Sequence, residues 1–456
     1  MEQLKKNDVI TLDITGITSE GSGVGRFGGM AVFVAGAAAG DKLETVIIKS
    51  KKNYAIGKIV KIITPSEDRT PSDCCVFPRC GGCVFRHMTY EAELKYKQQR
   101  VSDAFVRIGH IDVKVAPITG APGPDRYRNK AQYPVEMVNG RLRTGFYAPF
   151  SHRVINCRSC LLQPEEFEGI LGVICRWAEK YKISAYDEKT RSGLLRHIYL
   201  RKGFGTGEIM VCLVINGGKI YKKEQLVSEL IKENKNIKTV LININTEDTN
   251  VILGSENEVL FGPGYIEDVL CGKRFRLSPL SFYQVNHDQA ERLYEKAAEF
   301  AIGGGAKTLA DLYCGTGTIG LTMADKVERL IGVEIVPDAV KDAKINAKLN
   351  AAENTQFICA DAAAAAKELK NRGIRPDAVI LDPPRKGCDA ELLKTVAEME
   401  PERIVYVSCD PATLARDCAA LEALGYKVSE VCPFDMFPRT AHCEVVASLT
   451  LNFASR

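Results

Sequence analysis

A thiol stands in Ser408-Cys409-Asp410-Pro411-Ala412-Thr413, directly after the apolar run Arg403 to Val407. A strand that ends on Ser-Cys and turns through a proline brings the sulfur to the carboxyl edge of a sheet, and a helix starting there would favour the thiolate. A strand-end cysteine is ordinarily a buried small residue, so this one counts as a nucleophile only if other reactive groups share its edge. Three segments supply such groups. Asp311-Leu312-Tyr313-Cys314-Gly315-Thr316-Gly317-Thr318-Ile319-Gly320 has glycines that let backbone approach a ligand, and Glu334 ends the next strand, where it can take a ribose diol. Asp382-Pro383-Pro384-Arg385 fixes a carboxylate on a rigid extended turn at another strand end. Arg439-Thr440-Ala441-His442-Cys443-Glu444 opens the final apolar run, Val445 to Leu449, with an imidazole and a carboxylate.

The glycine spacing by itself fits two cofactors. Gly315-x-Gly317-x-x-Gly320 with Glu334 nineteen residues after Gly315 also meets the dinucleotide fingerprint of an NAD-dependent oxidoreductase. Asp311 before the glycines, Asp361 after the third strand and Asp382 after the fourth put a carboxylate at each successive strand end. That series suits the ribose, adenine and amino-acid parts of S-adenosylmethionine better than the phosphates of NAD. Asp361 reads equally well as the N-cap of a helix beginning near Ala362. A thiol beside a methyl donor has a specific use. C5 of uracil is too weak a nucleophile to take a methyl group directly, so a thiolate first adds to C6 and makes an enolate whose C5 can attack. A base must then remove the C5 proton; Glu444 is the candidate and His442 the alternative.

The elements that must position these groups are legible as alternating patterns. Strands over Thr308 to Leu312, Arg329 to Glu334, Thr355 to Cys359, Ala378 to Leu381 and Arg403 to Ser408 are separated by helical stretches, and a helix near Asp288 to Phe300 precedes them. Such alternation predicts an α/β fold for residues 276–456, a doubly wound Rossmann-like sheet. Residues 1–63 read as a small OB-like β-barrel, with strands Val9 to Ile14, Met30 to Val34, Lys42 to Lys49 and Tyr54 to Ile62 and a glycine-rich turn at Gly21 to Gly25. Residues 64–275 read as a central α+β domain. It opens with the polar linker Thr64 to Ser72 and a cysteine cluster. A helix over 90–108 follows, with Thr89 as N-cap and Leu94, Val101, Phe105 and Ile108 on the face expected to pack on the catalytic domain. A further helix runs from about Gln163 to Tyr181.

Bulk composition narrows the class without naming it. The chain has 456 residues, 45% of them hydrophobic and 26% charged, and a net charge of only +4, so any nucleic-acid partner must be sought in local clusters. Arg126, Arg128, Lys130, Arg141, Arg143 and Arg153 stand against the single acid Glu136, interleaved with Tyr127, Tyr133, Phe146, Tyr147 and Phe150. Cations that hold phosphate and aromatics that stack unpaired bases are how looped RNA is gripped, although a solvated basic face over a core strand pair has the same pattern. Arg196, His197 and Arg201 make a second basic stretch. The absence of a signal-peptide pattern and of any apolar run near 20 residues predicts a cytoplasmic protein with no membrane partner. Sixteen cysteines in a reducing compartment are then ligands, nucleophiles or buried small residues. Cys74, Cys80 and Cys83 lie within ten residues, with Cys157 or Cys160 able to close a four-thiolate site for zinc or an iron–sulfur cluster.

Four motifs in order make the chain resemble the RNA 5-methyluridine methyltransferases over essentially its whole length: Phe282-Tyr283-Gln284-Val285-Asn286, Asp311 to Gly317, Asp382-Pro383-Pro384-Arg385, and Ser408 to Thr413. The resemblance implies that Gln284, Tyr313, Glu334 and Asp382 line the methyl-donor pocket, that Cys409 is the nucleophile and that Glu444 is the base. Asp410 stands where many members carry Asn, which keeps the turn. It implies a TRAM domain at the N-terminus and a [4Fe-4S] cluster on Cys74, Cys80, Cys83 and Cys160, with Cys75 spare and zinc as the alternative. The TRAM-like barrel and cluster cysteines match the 23S ribosomal RNA members. The expected partner is therefore 23S rRNA, with tRNA uridine as the alternative, no DNA, and a monomeric enzyme. A non-catalytic RNA-binding protein is a more distant reading, which intact Cys409, Asp382 and Glu444 disfavour.

Overall fold

Alternation of apolar and polar side chains makes Val9–Ile17 a half-buried strand, with Ile10, Leu12 and Ile14 facing inward. In the computed structural model, which describes residues 4–452, it belongs to a closed barrel in the order Val9–Ile17, Gly23–Phe27, Met30–Val34, Tyr54–Thr64, Lys42–Ser50. The expected end segments thus lose residues 1–3 and 453–456, which lie outside the described residues. One expectation is corrected: Gly23–Phe27 is a strand and not part of a turn. Its glycines permit close pairing, since a Cβ on Gly25 would sit 2.3 Å from the Asp13 carbonyl oxygen.

The chain divides into two compact units. The first comprises Met1–Arg100, Phe146–Ile155 and Phe437–His442; the second comprises Val101–Gly145, Asn156–Met436 and Cys443–Arg456. Within the first unit the short 437–442 segment is held by buried charge. Lys97 Nζ donates to Glu93 Oε1 at 2.7 Å and to the Phe437 carbonyl at 3.1 Å, and the Arg439 N–H donates to Glu93 Oε1 at 2.7 Å. Thr89 accepts from the Ala92 N–H at 3.3 Å, as a helix N-cap should.

The helix that follows, Tyr90–Ala104, continues as a π-helical turn, Phe105–Gly109. Val101, Ala104 and Phe105 pack into the core of the catalytic sheet, but Ile108 is 48% exposed, a second correction. A π turn advances more residues per turn than an α turn, so the face assigned by a 3.6-residue period no longer holds beyond Phe105. In the second unit a mixed sheet pairs Glu256–Phe261, Ile237–Ile244, Ile209–Ile215, Leu195–Lys202, Lys130–Val138 and Arg141–Tyr147 in that spatial order. The helix expected at Gln163 to Tyr181 is Glu166–Lys180, and its apolar face, with Phe167, Ile170, Ile174 and Trp177, is buried.

We number the strands of the other large sheet of this unit in chain order: β1 Thr308–Asp311, β2 Arg329–Glu334, β3 Thr355–Cys359, β4 Ala378–Leu381, β5 Arg403–Ser408, β6 Tyr426–Phe434 and β7 Glu444–Leu451. Their spatial order is β3-β2-β1-β4-β5-β7-β6, with β1 to β5 parallel and β7 antiparallel to both neighbours. The order reverses on either side of β1, and ligands of open α/β sheets bind at the carboxyl edge beside such a reversal. β6 has no counterpart in the sequence reading; its edge position and partly exposed residues leave it a weaker apolar signature. Insertion of β7 between β5 and β6 sets Ser408 opposite Val445, which brings Glu444 beside Cys409 across a chain separation of 35 residues. Among the described residues no helix is long and apolar enough to cross a membrane.

Candidate active site

The carboxyl ends of β1, β2, β4 and β5 open on one cavity of about 1080 Å³. Gln284, Tyr313, Gly315, Glu334, Asp361, Asp382, Cys409 and Glu444 all line it, together with Phe282 and Arg385. Asp311 and Gly317 are not among its lining residues, and each instead shapes the turn behind it. Asp311 is buried and accepts the N–H groups of Tyr313 at 3.4 Å and Gly320 at 3.3 Å. Gly317 caps a short helix at φ +83°, and a side chain there would meet Leu321 at 3.0 Å. Gly315 also has a left-handed φ, +54°, but a Cβ on it would meet nothing within 4 Å. The backbone leaves that space for a ligand.

Glu334 accepts the Gly315 N–H through Oε2 at 3.1 Å and the Val336 N–H through Oε1 at 2.8 Å, so the carboxylate is oriented before any diol arrives. Gln284 sits in a loop secured by the Asn129 side chain, whose Nδ2 donates to the Gln284 carbonyl at 2.7 Å. Asp361 does both things expected of it: it lines the cavity, and its Oδ1 caps the helix Ala362–Asn371 by accepting from Ala363 and Ala364. The carboxylates, the oriented Glu334 and the open cradle at Gly315 fit a cationic nucleoside with a ribose diol.

Around the thiol the electrostatics run against one expectation. Burial pushes the Cys409 thiol up to about 11, with Glu444 and Asp382 adding to the effect, while Arg385, whose guanidinium reaches the sulfur, opposes it. The helix start beyond Cys409 does not prevail, because its N-terminus is occupied: the Asp410 carboxylate accepts from the Ala412 and Thr413 N–H groups at 2.9 and 3.1 Å. Glu444 is 4% exposed, and burial followed by the Asp382 charge holds its carboxyl well above the usual range. Burial likewise pushes Asp382 and Asp311 up to about 7. Arg385 is the functional residue that sequence reading passed over; its place in Asp382-Pro383-Pro384-Arg385 was the available signal. His442, the alternative base, is not among the lining residues.

The basic segments sort differently from their sequence pattern. In the second unit Arg201 is fully buried and donates to the Ser278 and Ser281 carbonyls at 2.8 Å, and Arg196 is spent on the Asn245 and Glu247 carbonyls. Tyr127 and Tyr133 are core residues, which removes them as stacking platforms. Arg141 and Arg143 are exposed, and Lys130 is pushed down to about 8 by burial and by the neighbouring Arg201 and Arg128. In the first unit Phe150 is wholly exposed at φ +54° on a tight turn, next to exposed Arg153. The turn is closed by Ala148 N–H to the Arg153 carbonyl at 2.9 Å and Ser151 N–H to the Ala148 carbonyl at 3.2 Å.

Of the cluster cysteines, Cys74, Cys80 and Cys83 are half-buried on one loop of the first unit, Cys75 is exposed, and the Gly82 N–H donates to Cys80 Sγ at 3.4 Å. Cys160 is half-buried in the second unit and Cys157 is buried. Among the described residues no three His, Cys, Asp or Glu side chains converge in a geometry that would hold a metal ion.

Fold and site together define a methyltransferase of the doubly wound α/β class, with a thiol and a carboxylate added at the donor cavity. Residues 89–451 match the family model described as tRNA (uracil-5-)-methyltransferase, and residues 3–60 match the TRAM domain. A Clostridium tetani protein described as an uncharacterized RNA methyltransferase is 45% identical over 447 residues, covering 98% of this chain and 97% of its own. One from Halalkalibacterium halodurans, described in the same words, is 44% identical over 450 residues, covering 98% of each chain. The fold is similar to that of the Pyrococcus abyssi tRNA (uracil-54, C5)-methyltransferase, solved with S-adenosyl-L-homocysteine, at a TM-score of 0.78 and 25% identity, covering 97% of this chain and all of that one. The chain therefore belongs to the tRNA (uracil-5-)-methyltransferase family and carries a TRAM domain.

Proposed function

We propose that the protein methylates C5 of a uridine in 23S rRNA through a transient bond between Cys409 and C6 of the base, with Glu444 removing the C5 proton. The observation that carries this reading is the meeting of Cys409, Glu444 and Asp382 with Gly315 and Glu334 in a single cavity. S-adenosylmethionine, bound there, supplies an electrophilic methyl group. Glu334 would take its ribose diol, Gly315 and Tyr313 its nucleoside, and Gln284 and Asp382 its amino-acid end.

The chain's own groups do the rest. The Cys409 thiol gives up its proton to solvent, Arg385 favours the resulting thiolate, and the sulfur then adds to C6. The uracil needs to be unstacked for the sulfur to reach C6, which requires a flipped or looped base. Once C5 carries its methyl group, Glu444 takes the C5 proton, the C5–C6 double bond re-forms and the Cys409 sulfur leaves. A buried carboxyl with a raised affinity for protons is a stronger base for that step than an exposed one.

The resemblance to the 23S ribosomal RNA members is what favours ribosomal RNA; the N-terminal barrel does not separate the two substrates, since the Pyrococcus abyssi tRNA enzyme matches 97% of this chain. A tRNA uridine is the second reading, favoured by the family's description and by the Pyrococcus abyssi enzyme's substrate. Exposed Arg141, Arg143, Arg153 and Phe150 serve the RNA in either case. The resemblance assigns Cys74, Cys80, Cys83 and Cys160 to a [4Fe-4S] cluster; iron and sulfide content of anaerobically purified protein tests that assignment against zinc. The enzyme acts as a cytoplasmic monomer. RNA carrying 5-fluorouridine decides the mechanism, because fluorine blocks the final elimination. A covalent complex is expected with the wild type and the cofactor but not with Cys409→Ala, and its absence on an RNA that is methylated would refute the adduct. Mapping 5-methyluridine in ribosomal and transfer RNA from cells lacking the protein identifies the substrate.

A further inference from the structure

The helix Pro411–Ala423 starts two residues after Cys409, and Asp417 on it is only 2% exposed. Asp417 Oδ2 accepts the Cys388 N–H at 2.8 Å and the Tyr406 hydroxyl at 2.5 Å. Its Oδ1 accepts Arg416 Nε at 2.8 Å, and Arg416 Nη2 donates onward to the Lys386 carbonyl at 2.9 Å. Gly387, between those two contacts, has φ +77°, and a Cβ on it would lie 2.5 Å from Asp417 Oδ2. The Gly387 N–H closes a turn onto the Pro384 carbonyl at 2.8 Å. One buried carboxylate thus stitches the whole Pro384–Cys388 loop to the helix behind the nucleophile.

Arg385 lies in the middle of that loop and lines the cavity with Cys409. Its guanidinium reaches the Cys409 sulfur and acts on the Glu444 carboxyl, so the loop backbone that carries Arg385 sets how these groups meet. A buried carboxylate is expensive in solvation, and here the Arg416 guanidinium, 2.7 Å from Asp417 Oδ1, offsets that cost in a way a neutral side chain would not.

We propose that Asp417 is a positioning residue that locks the Pro384–Cys388 loop to the Cys409 helix and so holds the Arg385 guanidinium against the Cys409 sulfur. The inference rests on Cys409 being the nucleophile, and it assigns Arg416, Asp417 and Gly387, which line the same cavity, the task of fixing where Arg385 stands.

The test uses the full-length protein and follows alkylation of Cys409 by iodoacetamide against pH, with the labelled peptide identified by mass spectrometry. In Asp417→Asn the profile is expected to move to higher pH and the rate near neutrality to fall about tenfold to a hundredfold, the loss typical of a misplaced reactive group. Arg385→Gln gives the same shift. The double variant goes no further than Arg385→Gln alone, because both changes break one contact. Gly387→Ala keeps the carboxylate but pushes the loop away from it, so it moves the profile in the same direction and serves if Asp417→Asn does not fold. An unchanged profile in folded Asp417→Asn or Gly387→Ala overturns the proposal, and so do losses for Asp417→Asn and Arg385→Gln that multiply. No RNA enters this assay. A wild type that methylates no uracil would therefore refute the proposed function separately from the positioning role.

Discussion

Replacing Glu444 with glutamine should trap the RNA on the enzyme. The substitution keeps size and hydrogen-bonding capacity at a site only 4% exposed, so the sheet edge should persist. It also removes the charge that, after burial, does most to keep the Cys409 thiol up at about 11. Below that value the thiolate fraction rises tenfold per pH unit, so lowering the thiol's pKa makes adduct formation at a given pH at least as fast as in the wild type. Breakdown loses its general base and should slow by about 10²- to 10⁴-fold, roughly 3 to 5 kcal/mol of barrier. Formation and breakdown then exchange roles as the slow step. In a single turnover with radiolabelled methyl donor, Glu444→Gln should accumulate close to one equivalent of methylated RNA that migrates with the denatured protein. The wild type should release free product. Wild-type turnover by Glu444→Gln, or the same adduct in Glu444→Gln/Cys409→Ala, would refute the assignment of base and nucleophile.

Three other outcomes follow from the geometry. Asp382 and Asp311 hold protons in the folded chain up to about pH 7, against 3.8 as their ordinary value, so between those pH values the folded state binds more protons and stability falls as pH rises. Thermal unfolding without ligand should show a shallower fall across that window in Asp382→Asn than in the wild type; parallel slopes would count against the shift. Gly315→Ala should cost roughly 1 to 2 kcal/mol for a left-handed alanine and weaken S-adenosylmethionine binding by calorimetry, because the methyl group enters space the cavity keeps open. Phe150→Ala should weaken RNA binding by the roughly 1 to 3 kcal/mol of one stacked base while Phe150→Trp retains it, and equal RNA affinities for all three proteins would remove Phe150 from the interface.

Much of the site was legible in the chain itself. The glycine turn, the carboxylate after each strand and the thiol at a strand end are local features, because a parallel strand delivers whatever follows it to one edge of the sheet. Strands β2 to β5 coincide with their expected limits, and for β4 and β5 continuous buried apolar runs leave little choice. Periodicity could not distinguish Arg201 as a buried donor to two carbonyls from Arg141 on the surface, because charge alone does not report burial. It also carried the first long helix past Ala104, where a π turn changes the pitch.

By itself the sequence determined which groups do chemistry and that strands would present them. The tertiary structure decided which of them meet. Glu444 reaches Cys409 only because β7 inserts antiparallel beside β5, a pairing fixed by burial on both faces of the sheet and not by any local signal. Burial decided the thiol's acidity as well. The helix start beyond Cys409 suggested a lowered value, but desolvation and two neighbouring carboxylates outweigh a helix end already capped by Asp410, and Arg385 is left to favour the thiolate.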